Sequence, residues 1–277
     1  MSSTRTMLIT GVSSGFGRAL AEEALAAGYR VVGTVRSEQA KHDFESLNAA
    51  RAFGRILDVT DFDSIPDVVN DIEANLGPLD VLVNNAGYGH EGVMEESPLD
   101  AMRRQFDVNV FGAVAVTKCV LPHMRERRHG HILNITSMGG FITMPGIAYY
   151  CGSKFALEGI SEVLGKEVRQ FGIRVTAVAP GSFRTDWAGR SMVRSPRSIA
   201  DYDSLFDPIR KGREEKSGRQ LGDPVKAARA MLSIIDADEP PAHLLLGSDA
   251  LGMVREKFSL LSAELDAWES VTRSTDG

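Results

Sequence analysis

Cysteine is scarce in this sequence, with two residues in a chain of 277. Two thiols, Cys119 and Cys151, are too few for a disulfide scaffold and are typical of a protein from a reducing compartment. Long apolar runs are missing as well, because the first apolar stretch, Met7–Thr10, is too short for a signal-peptide core or a membrane span. We therefore expect a cytoplasmic protein in which both cysteines are buried thiols.

An excess of positive charge is also absent. The 31 lysine and arginine residues are outnumbered by 37 acidic residues, which gives a formal net charge of −6. A chain of this charge, without a basic tract, has no general attraction to nucleic-acid backbones or anionic lipid. Three histidines lie close together (His123, His129 and His131), but the stretch around them is typical of a solvated, cationic helix end. We expect no nucleic-acid, membrane or metal partner.

The remaining composition is that of an ordinary globular chain, 43% hydrophobic and 25% charged. Short β-branched segments alternate with longer amphipathic segments, the pattern of βαβ units around a parallel sheet. The predicted strands are Met7–Thr10, Arg30–Thr34, Arg55–Asp58, Val81–Asn84, His131–Thr136, Arg174–Ala179 and His243–Leu246. They predict a single α/β domain, residues 1–277, built on a doubly wound, seven-stranded parallel sheet of the Rossmann type.

One segment, residues 182–222, breaks this alternation. It is polar, rich in arginine and serine, and lacks strong helical periodicity. Its large apolar side chains are Phe183, Trp187, Met192, Tyr202 and Phe206, and its charged residues include Arg184, Arg190, Arg194, Arg197, Asp201 and Asp203. Long irregular segments in compact domains are often lids. We predict a substrate lid with an apolar underside and a solvated top.

A glycine-rich turn follows the first predicted strand. Gly11, Gly15 and Gly17 are spaced Gly-x-x-x-Gly-x-Gly, a variant of the dinucleotide-binding fingerprint. Glycine tolerates positive φ and lets main-chain amides approach a pyrophosphate, whose charge then lies at a helix N-terminus. The position of the turn, between a strand and a helix, favours a nucleotide site over a purely steric use of glycine.

The residues after the second strand bear on the choice of dinucleotide. An NAD site normally has an acidic residue there to bind the ribose 2′-hydroxyl, whereas this chain has Arg36, a planar cation suited to a 2′-phosphate. We therefore predict NADP(H) as the cofactor, with Ser14 donating a second hydrogen bond to the phosphate. The alternative is that Arg36 is a solvated surface residue. Asp58 could bind the adenine amino group and Asn84–Gly87 end the fourth strand, unless both are turn residues.

Tyr150 and Lys154 are four residues apart, so on a helix they share one face. The nearby ammonium favours the tyrosinate and predicts a lowered tyrosine pKa, which would suit an acid or base acting on an alcohol oxygen. Tyr149 would point about 100° away around the helix, so it is predicted to pack. By itself such a pair can also be an ordinary surface contact.

The complete set of residues resembles the short-chain dehydrogenase/reductase superfamily. The resemblance rests on Thr10–Gly17, Asp58, Asn84–Gly87, Asn109, Ser137, Tyr150, Lys154 and Pro180–Gly181, and it covers residues 7 to about 180. It implies that Ser137 holds the substrate oxygen, Tyr150 transfers the proton and Lys154 binds the nicotinamide ribose. Asn109 would anchor a water in the proton relay.

The resemblance also implies a cofactor site. Its residues would be Gly11, Ser13, Ser14, Gly15, Phe16, Gly17, Arg36, Asp58, Val59, Asn85, Ala86, Gly87, Tyr150, Lys154, Pro180, Gly181 and Thr185. Within the superfamily, the glycine loop and the stretch ending in Arg36 are most similar to an NADP-preferring branch with 17β-hydroxysteroid dehydrogenase-like members.

These features predict an oxidoreductase that moves a hydride between NADP(H) and a bulky, mainly apolar carbonyl or secondary alcohol. The alternatives are a dehydratase or epimerase on the same fold, and a non-catalytic dinucleotide sensor, which would not need Ser137, Tyr150 and Lys154. Two long helices, around Asp100–Met124 and Tyr149–Gln170, are apolar over a wide arc and require a second burial partner. We expect a homodimer or homotetramer.

Overall fold

The computed structural model of the chain describes residues 4–185, 187, 189 and 191–277. The strands are β1 (Thr6–Ile9), β2 (Arg30–Val35), β3 (Ala52–Ile56), β4 (Leu79–Asn84), β5 (Gly89–Glu91), β6 (Gly130–Ile135), β7 (Ile173–Pro180), β8 (Met192–Arg194) and β9 (His243–Leu246). The helices are α1 (Gly15–Ala26), α2 (Glu38–Glu45), α3 (Ile65–Asn75), α4 (Leu99–Phe106), α5 (Ala113–Arg127), α6 (Ala148–Val168), α7 (Asp203–Lys216), α8 (Pro224–Ile235), α9 (Ser248–Ala267) and α10 (Glu269–Arg273).

Seven strands form one parallel sheet in the order β3-β2-β1-β4-β6-β7-β9. This confirms the predicted doubly wound fold. The strand order reverses between β1 and β4, and in such sheets ligands bind in the crevice outside the carboxyl ends of the strands at the reversal. The site is therefore expected beside the ends of β1 and β4.

The strands are apolar on both faces because helices cover both. One face of the sheet packs against α1, α2 and α8, and the other against α3, α5 and the end of α6. Every predicted strand has a counterpart, with ends that differ by one to a few residues. The largest shift is at β3, predicted to begin at Arg55, where pairing with β2 extends the strand back to Ala52.

The first of the two long predicted helices is interrupted. Between α4 and α5 the chain forms a π-helical turn, Asp107–Gly112, a feature that often occurs at functional sites. A side chain at Gly112 would collide with Val59, since a Cβ built there lies 2.7 Å from the valine Cγ2. The turn is therefore pressed against the segment that follows β3.

Residues 182–222 are more regular than predicted. They contain β8 and the 14-residue helix α7, so the expectation of an irregular backbone is wrong for much of the segment, and the lid role stays a prediction. Within the described residues, β8 pairs with β5 to form a small two-stranded sheet beside the main one. Phe206 of α7 is buried between the guanidinium groups of Arg197 and Arg210, each about 5.0 Å from the ring centre.

The charges of this segment also differ from the prediction of a solvated top. Arg194 contacts the buried carboxylate of Glu91 at 3.2 Å, and Arg197 contacts Glu96 at 2.9 Å. Arg184 pairs with Asp223 at 3.1 Å, and Arg190 lies outside the described residues. Ion pairs therefore fasten the segment to β5, to the turn after β5 and to the start of α8.

The sequence predicts neither a membrane protein nor a metalloprotein. None of the described helices is both long and apolar enough to cross a membrane. The described side chains form no cluster of three or more histidine, cysteine or acidic residues arranged to hold a metal ion.

Candidate active site

The predicted site residues meet at one edge of the sheet. The glycine loop follows β1, Asn85–Gly87 follow β4, Ser137 follows β6, and Pro180–Gly181 end β7. The carboxyl ends of parallel strands share an edge, so segments distant in sequence become neighbours there. This is the crevice that the strand order predicts.

The glycine loop folds tightly before α1. Gly11 and Gly15 have φ values of +74° and +60°, a region that favours glycine. A Cβ built at Gly17 would lie 2.1 Å from the Gly11 carbonyl oxygen, so no side chain fits there. Ser14 precedes the helix in an extended conformation and its side chain does not cap it, and the first turn of α1 has no acidic residue. The loop and helix end suit a pyrophosphate.

A polar network holds this loop against the end of β4. The amides of Asn85 and Ala86 both donate to the Thr10 hydroxyl at 3.0 Å. The Asn85 side-chain nitrogen donates to the Thr10 and Gly11 carbonyls at 2.9 and 2.8 Å, and the Gly11 amide donates to the Thr34 hydroxyl at 3.0 Å. The Asn85 side chain therefore supports the loop, a scaffolding role that sequence reasoning did not assign.

Arg36 and Asp58 lie at the ends of neighbouring strands. Arg36 is exposed, and in the described part of the chain no side chain forms a hydrogen bond or ion pair with it. Burial raises the pKa of Asp58, but hydrogen bonds from the Thr60 amide and hydroxyl, at 3.0 and 2.7 Å, and the Arg36 charge lower it below its usual value. An anionic Asp58 beside an open guanidinium leaves both groups able to meet a nucleotide.

The other predicted cofactor residues border the same crevice. Thr185 lies beside the glycine loop, since a Cβ at Gly15 would be 3.9 Å from the threonine Cβ. Phe16 packs edge-on against Phe183, with ring centres 5.1 Å apart. The predicted cofactor residues differ in exposure: Ser13 and Gly87 are exposed, whereas the side chain of Val59 is buried.

Tyr150 and Lys154 of α6 are both buried, each 6% exposed. The Lys154 Nζ donates to the Ile135 carbonyl at 2.8 Å and lies 5.8 Å from the centre of the Tyr150 ring. Tyr149 points elsewhere, because its hydroxyl donates to the Ser97 carbonyl at 2.8 Å and its ring stacks on His90. The helix therefore presents Tyr150, and not Tyr149, beside the lysine.

The protonation of this pair is set by burial. Burial raises the pKa of Tyr150 to about 12, a rise that the Ser137 hydroxyl opposes. Burial also lowers the pKa of Lys154 to about 8, and the charge of Glu158 opposes that lowering. The sequence predicted a lowered tyrosine pKa from the neighbouring ammonium, whereas in the structure loss of solvent is the largest influence and raises the pKa.

Ser137 begins a short 3₁₀ turn directly after β6, and its Oγ accepts a hydrogen bond from the Gly139 amide at 3.0 Å. A Cβ built at Gly139 would lie 3.4 Å from both the Ser137 Oγ and the Tyr150 Cε1. The small residue lets the turn approach the phenol closely. Ser137 and Tyr150 thus face the same small volume.

Asn109 lies in the π-helical turn and its side chain is fully engaged. Its Oδ1 accepts from the Tyr88 amide, and its Nδ2 donates to the Tyr88 carbonyl and to the Ser153 hydroxyl, each at 3.1 Å. Ser153 in turn donates to the Tyr150 carbonyl at 2.7 Å. Asn109 therefore links the segment after β4 to the catalytic helix. Ser153, three residues after Tyr150, was not identified from the sequence.

Trp187 covers the tyrosine from the side of residues 182–222. Its ring centre is 5.0 Å from that of Tyr150, and Met144, Ile147 and Cys151 complete an apolar cluster. The indole nitrogen is buried, and the Trp187 side chain, like the Ser137 hydroxyl, opposes the rise in the pKa of Tyr150. An apolar wall with one polar atom therefore lies over the phenol.

A buried carboxylate with a solvent-facing histidine partner lies behind Lys154 and was not identified from the sequence. Glu158, one turn further along α6, accepts a hydrogen bond from the Thr136 hydroxyl and lies 2.8 Å from the Nδ1 of His243. An acid four residues after Lys154 was visible in the sequence, but its partner comes from β9. No local signal joins the two.

The sequence and the structure are similar to those of known proteins. Residues 5–193 match the family described as short chain dehydrogenase. The chain belongs to the short-chain dehydrogenase family. This dehydrogenase is 36% identical to the oxidoreductase BOA17 of Botryotinia fuckeliana over 270 residues, which cover 97% of this chain and 98% of that one. It is also 36% identical to retinol dehydrogenase 8 of Homo sapiens over 251 residues, covering 86% and 79% of the two chains.

Solved structures of similar proteins agree with this assignment. A short-chain dehydrogenase from Streptomyces avermitilis superposes with a TM-score of 0.93 at 41% identity, covering 100% of both chains. A family member from Burkholderia phymatum in complex with NAD has a TM-score of 0.80 at 25% identity, over 93% of this chain and 95% of that one. ElxO with NADP bound has a TM-score of 0.75 at 26% identity, over 90% and 99%.

Members of the family therefore bind either dinucleotide. The dehydrogenase has the seven-stranded sheet of these structures, and as a family member it is an oxidoreductase that acts on CH–OH or C=O groups.

Proposed function

We propose that this dehydrogenase transfers a hydride between NADP(H) and the carbonyl or secondary alcohol of a bulky, mainly apolar substrate. The observation that carries the proposal is the convergence of Ser137, Tyr150 and Lys154 at the sheet edge that also bears the glycine loop. A proton donor and a place for a dinucleotide then share one crevice, which is the arrangement that reduction of a carbonyl requires.

Tyr150 is the residue that transfers the proton. In the reducing direction its phenol donates a proton to the substrate oxygen while the Ser137 hydroxyl donates a hydrogen bond to the same atom. The nicotinamide, when bound, supplies the hydride to the carbonyl carbon. A pKa of about 12 keeps Tyr150 protonated at neutral pH, the state that a donor needs. In the oxidising direction the phenol must first lose its proton, and nearby positive charge, including the Lys154 ammonium, favours that loss.

Lys154 and Asn109 would then restore the proton. One Lys154 hydrogen is committed to the Ile135 carbonyl, which leaves two for a ribose hydroxyl and a relay. Because the Asn109 side chain already bonds Tyr88 and Ser153, a relay water would be held by the main chain of the π-helical turn. Such turns are frequent at functional sites because they alter the hydrogen-bond register of a helix.

The preference for NADP(H) is supported by Arg36. Its exposed guanidinium ends β2 where a 2′-phosphate would lie, and no acidic residue precedes it on the strand to bind a 2′-hydroxyl. Ser14, whose side chain is not used to cap α1, could donate a second hydrogen bond to the phosphate. Asp58 would bind the adenine.

An apolar substrate is supported by the surroundings of Tyr150. The wall formed by Trp187, Met144 and Ile147 offers carbon surface beside the reacting oxygen. Arg197, an arginine of residues 182–222 that could attract a carboxylate, already contacts three acidic residues. The name of human retinol dehydrogenase 8 fits an apolar substrate. The narrower similarity to 17β-hydroxysteroid dehydrogenase-like members stays a prediction.

The test is to supply a library of carbonyl compounds with NADPH and to measure turnover as the loss of the nicotinamide absorbance. Tyr150→Phe should nearly abolish turnover and leave NADPH binding largely intact, because the ring remains and only the proton donor is lost. Tyr149→Phe is the matched control and should be mild. Equal losses in the two variants, or product formed without net nicotinamide oxidation, would contradict the proposal.

A further inference from the structure

A buried carboxylate that the proposed reaction does not use lies one turn beyond Lys154. Glu158 is 5% exposed, and its four-residue spacing from Lys154 puts both side chains on one helix face. Lys154 donates to the Ile135 carbonyl, and Glu158 accepts from the hydroxyl of the next residue, Thr136. The two side chains thus hold the last residue of β6 and the residue after it, which lies directly before Ser137.

Glu158 is held from two further elements. The Thr136 hydroxyl that it contacts also lies 2.9 Å from the Val178 carbonyl of β7. The other carboxylate oxygen of Glu158 lies 2.8 Å from the Nδ1 of His243, at the start of β9. The His243 side chain is 34% exposed. The carboxylate therefore has a fixed position, with one partner in the core and one that reaches solvent.

The charge of this group matters because Lys154 is buried beside it. Removing an ammonium from water favours its neutral form, and burial lowers the pKa of Lys154 to about 8 while the Glu158 charge opposes that lowering. Burial likewise raises the pKa of Glu158, and Thr136, His243 and Lys154 oppose that rise. Each group therefore stabilises the ionised form of the other.

We propose that Glu158 is a positioning residue for the reaction: its carboxylate, fixed by Thr136 and His243, keeps the Lys154 ammonium charged and aligned beside Tyr150. The consequence for catalysis rests on the proposed function. The charge state of Lys154 does not, because it is a property of the protein alone and can be measured without a cofactor.

Few other charged groups lie near Glu158 and Lys154. In the described part of the chain, α6 contributes Tyr150 and, one turn beyond Glu158, the exposed Glu162, which lies 4.0 Å from the His243 Nε2 and pairs with Lys166. The groups from β6 and β7 are a hydroxyl and main-chain carbonyls, which do not titrate, and the Phe141 ring lies edge-on to the imidazole. Glu158 is the charged group acting on Lys154.

Glu158→Gln keeps the shape of the side chain and removes its charge. The readout is the Lys154 titration, followed by NMR of the lysine ε-methylene signals in protein without cofactor, with Lys154→Met to assign the resonance. We expect a midpoint near 8 in the wild type and a midpoint lower by about one unit in Glu158→Gln. Glu162→Gln, the same change at an exposed position one turn further, should leave the midpoint in place.

The pH dependence of NADPH affinity gives a second readout. If charged Lys154 binds the ribose, wild type and Glu162→Gln should lose affinity as the pH passes the Lys154 midpoint, and Glu158→Gln should lose it about one unit lower. A purely structural role for Glu158 would weaken affinity equally at every pH, and that result would contradict the proposal.

His243→Gln keeps the proposal testable if Glu158→Gln does not fold. It removes the imidazole donor but retains Glu158, so the Lys154 midpoint should again fall, by less. A midpoint that is the same in the wild type and in every folded variant of Glu158 or His243 would overturn the positioning role. A shifted midpoint in a protein that reduces no carbonyl would instead count against the proposed function and leave the positioning role intact.

Discussion

Glu91→Gln is expected to destabilise the protein, because it removes the one charge that three arginines share at the edge of residues 182–222. Glu91 is 0% exposed and accepts from Arg194, Arg210 and Arg213 at 3.2, 2.8 and 3.1 Å. Removing one partner of a buried ion pair typically costs ~3–5 kcal/mol. The arginine side chains are 16–29% exposed, so solvent offsets part of the loss. We expect about 3 kcal/mol, a fall in Tm of roughly 6–12 °C.

The pH dependence of this effect identifies its cause. Burial raises the pKa of Glu91, but the hydrogen bonds and charges of the arginines outweigh burial and leave the pKa below its ordinary 4.5. A carboxylate with a lowered pKa in the folded state contributes stability above its unfolded pKa and loses it as the pH falls through the folded value. The gap in Tm between wild type and Glu91→Gln should therefore be full at neutral pH and shrink below about pH 4.5.

Calorimetric melting from neutral pH down to about pH 4 would measure both quantities. Glu38→Gln is the matched control, because that carboxylate is exposed on α2 and lies 3.9 Å from Lys41, a surface pair worth less than ~1 kcal/mol. A Tm for Glu91→Gln equal to that of the control, or a gap that does not change with pH, would refute the assignment of a buried anion at this position.

Three further predictions concern the cofactor, the substrate and the assembly. Arg36→Ala should weaken NADPH binding by roughly 1–3 kcal/mol and NADH binding much less, and a wild type that prefers NADH in fluorescence titration would contradict this. Trp187→Ala should lower kcat/KM for cyclic or aromatic ketones by roughly 1.5–3 kcal/mol in transition-state free energy, with little change for short keto acids. Phe155, Ile160 and Val163 are exposed apolar residues of α6, and Ile160 and Val163 line a groove together with Val114 of α5. They predict light scattering at a multiple of the 30.0 kDa chain mass, and a monomer would count against this prediction.

The sheet could be predicted because each of its strands has a local signal, a short apolar run, β-branched in most strands and leucine in β9, bounded by turn residues. The signal weakens at β3, whose sequence from Ala52 to Ile56 contains one β-branched residue, and there pairing with β2 sets the boundary. The glycine loop and the Tyr150–Lys154 spacing are likewise local patterns. Such features survive in a single sequence because the chemistry or geometry fixes both the residue type and the spacing.

Helix α7 could not be predicted in the same way. It buries one residue, Phe206, among its described side chains, so it lacks the apolar stripe that reveals an amphipathic helix. Its attachment comes instead from Arg210 and Arg213, which reach Glu91. Polar anchoring leaves no periodic apolar pattern, and a charge-rich stretch then resembles a solvated loop.

The pairs that define the site beyond its motifs are long-range. Glu158 and His243 are 85 residues apart, and Glu91 and Arg210 are 119 apart. An acid in a sequence has many possible basic partners, and only the fold selects one, so the charge balance of a crevice cannot be counted from composition. That selection bears on the substrate: arginines that composition alone would offer to a carboxylate already contact Glu91 and Glu96. What remains beside Tyr150 is carbon surface, and this favours a ligand that brings no charge to the site.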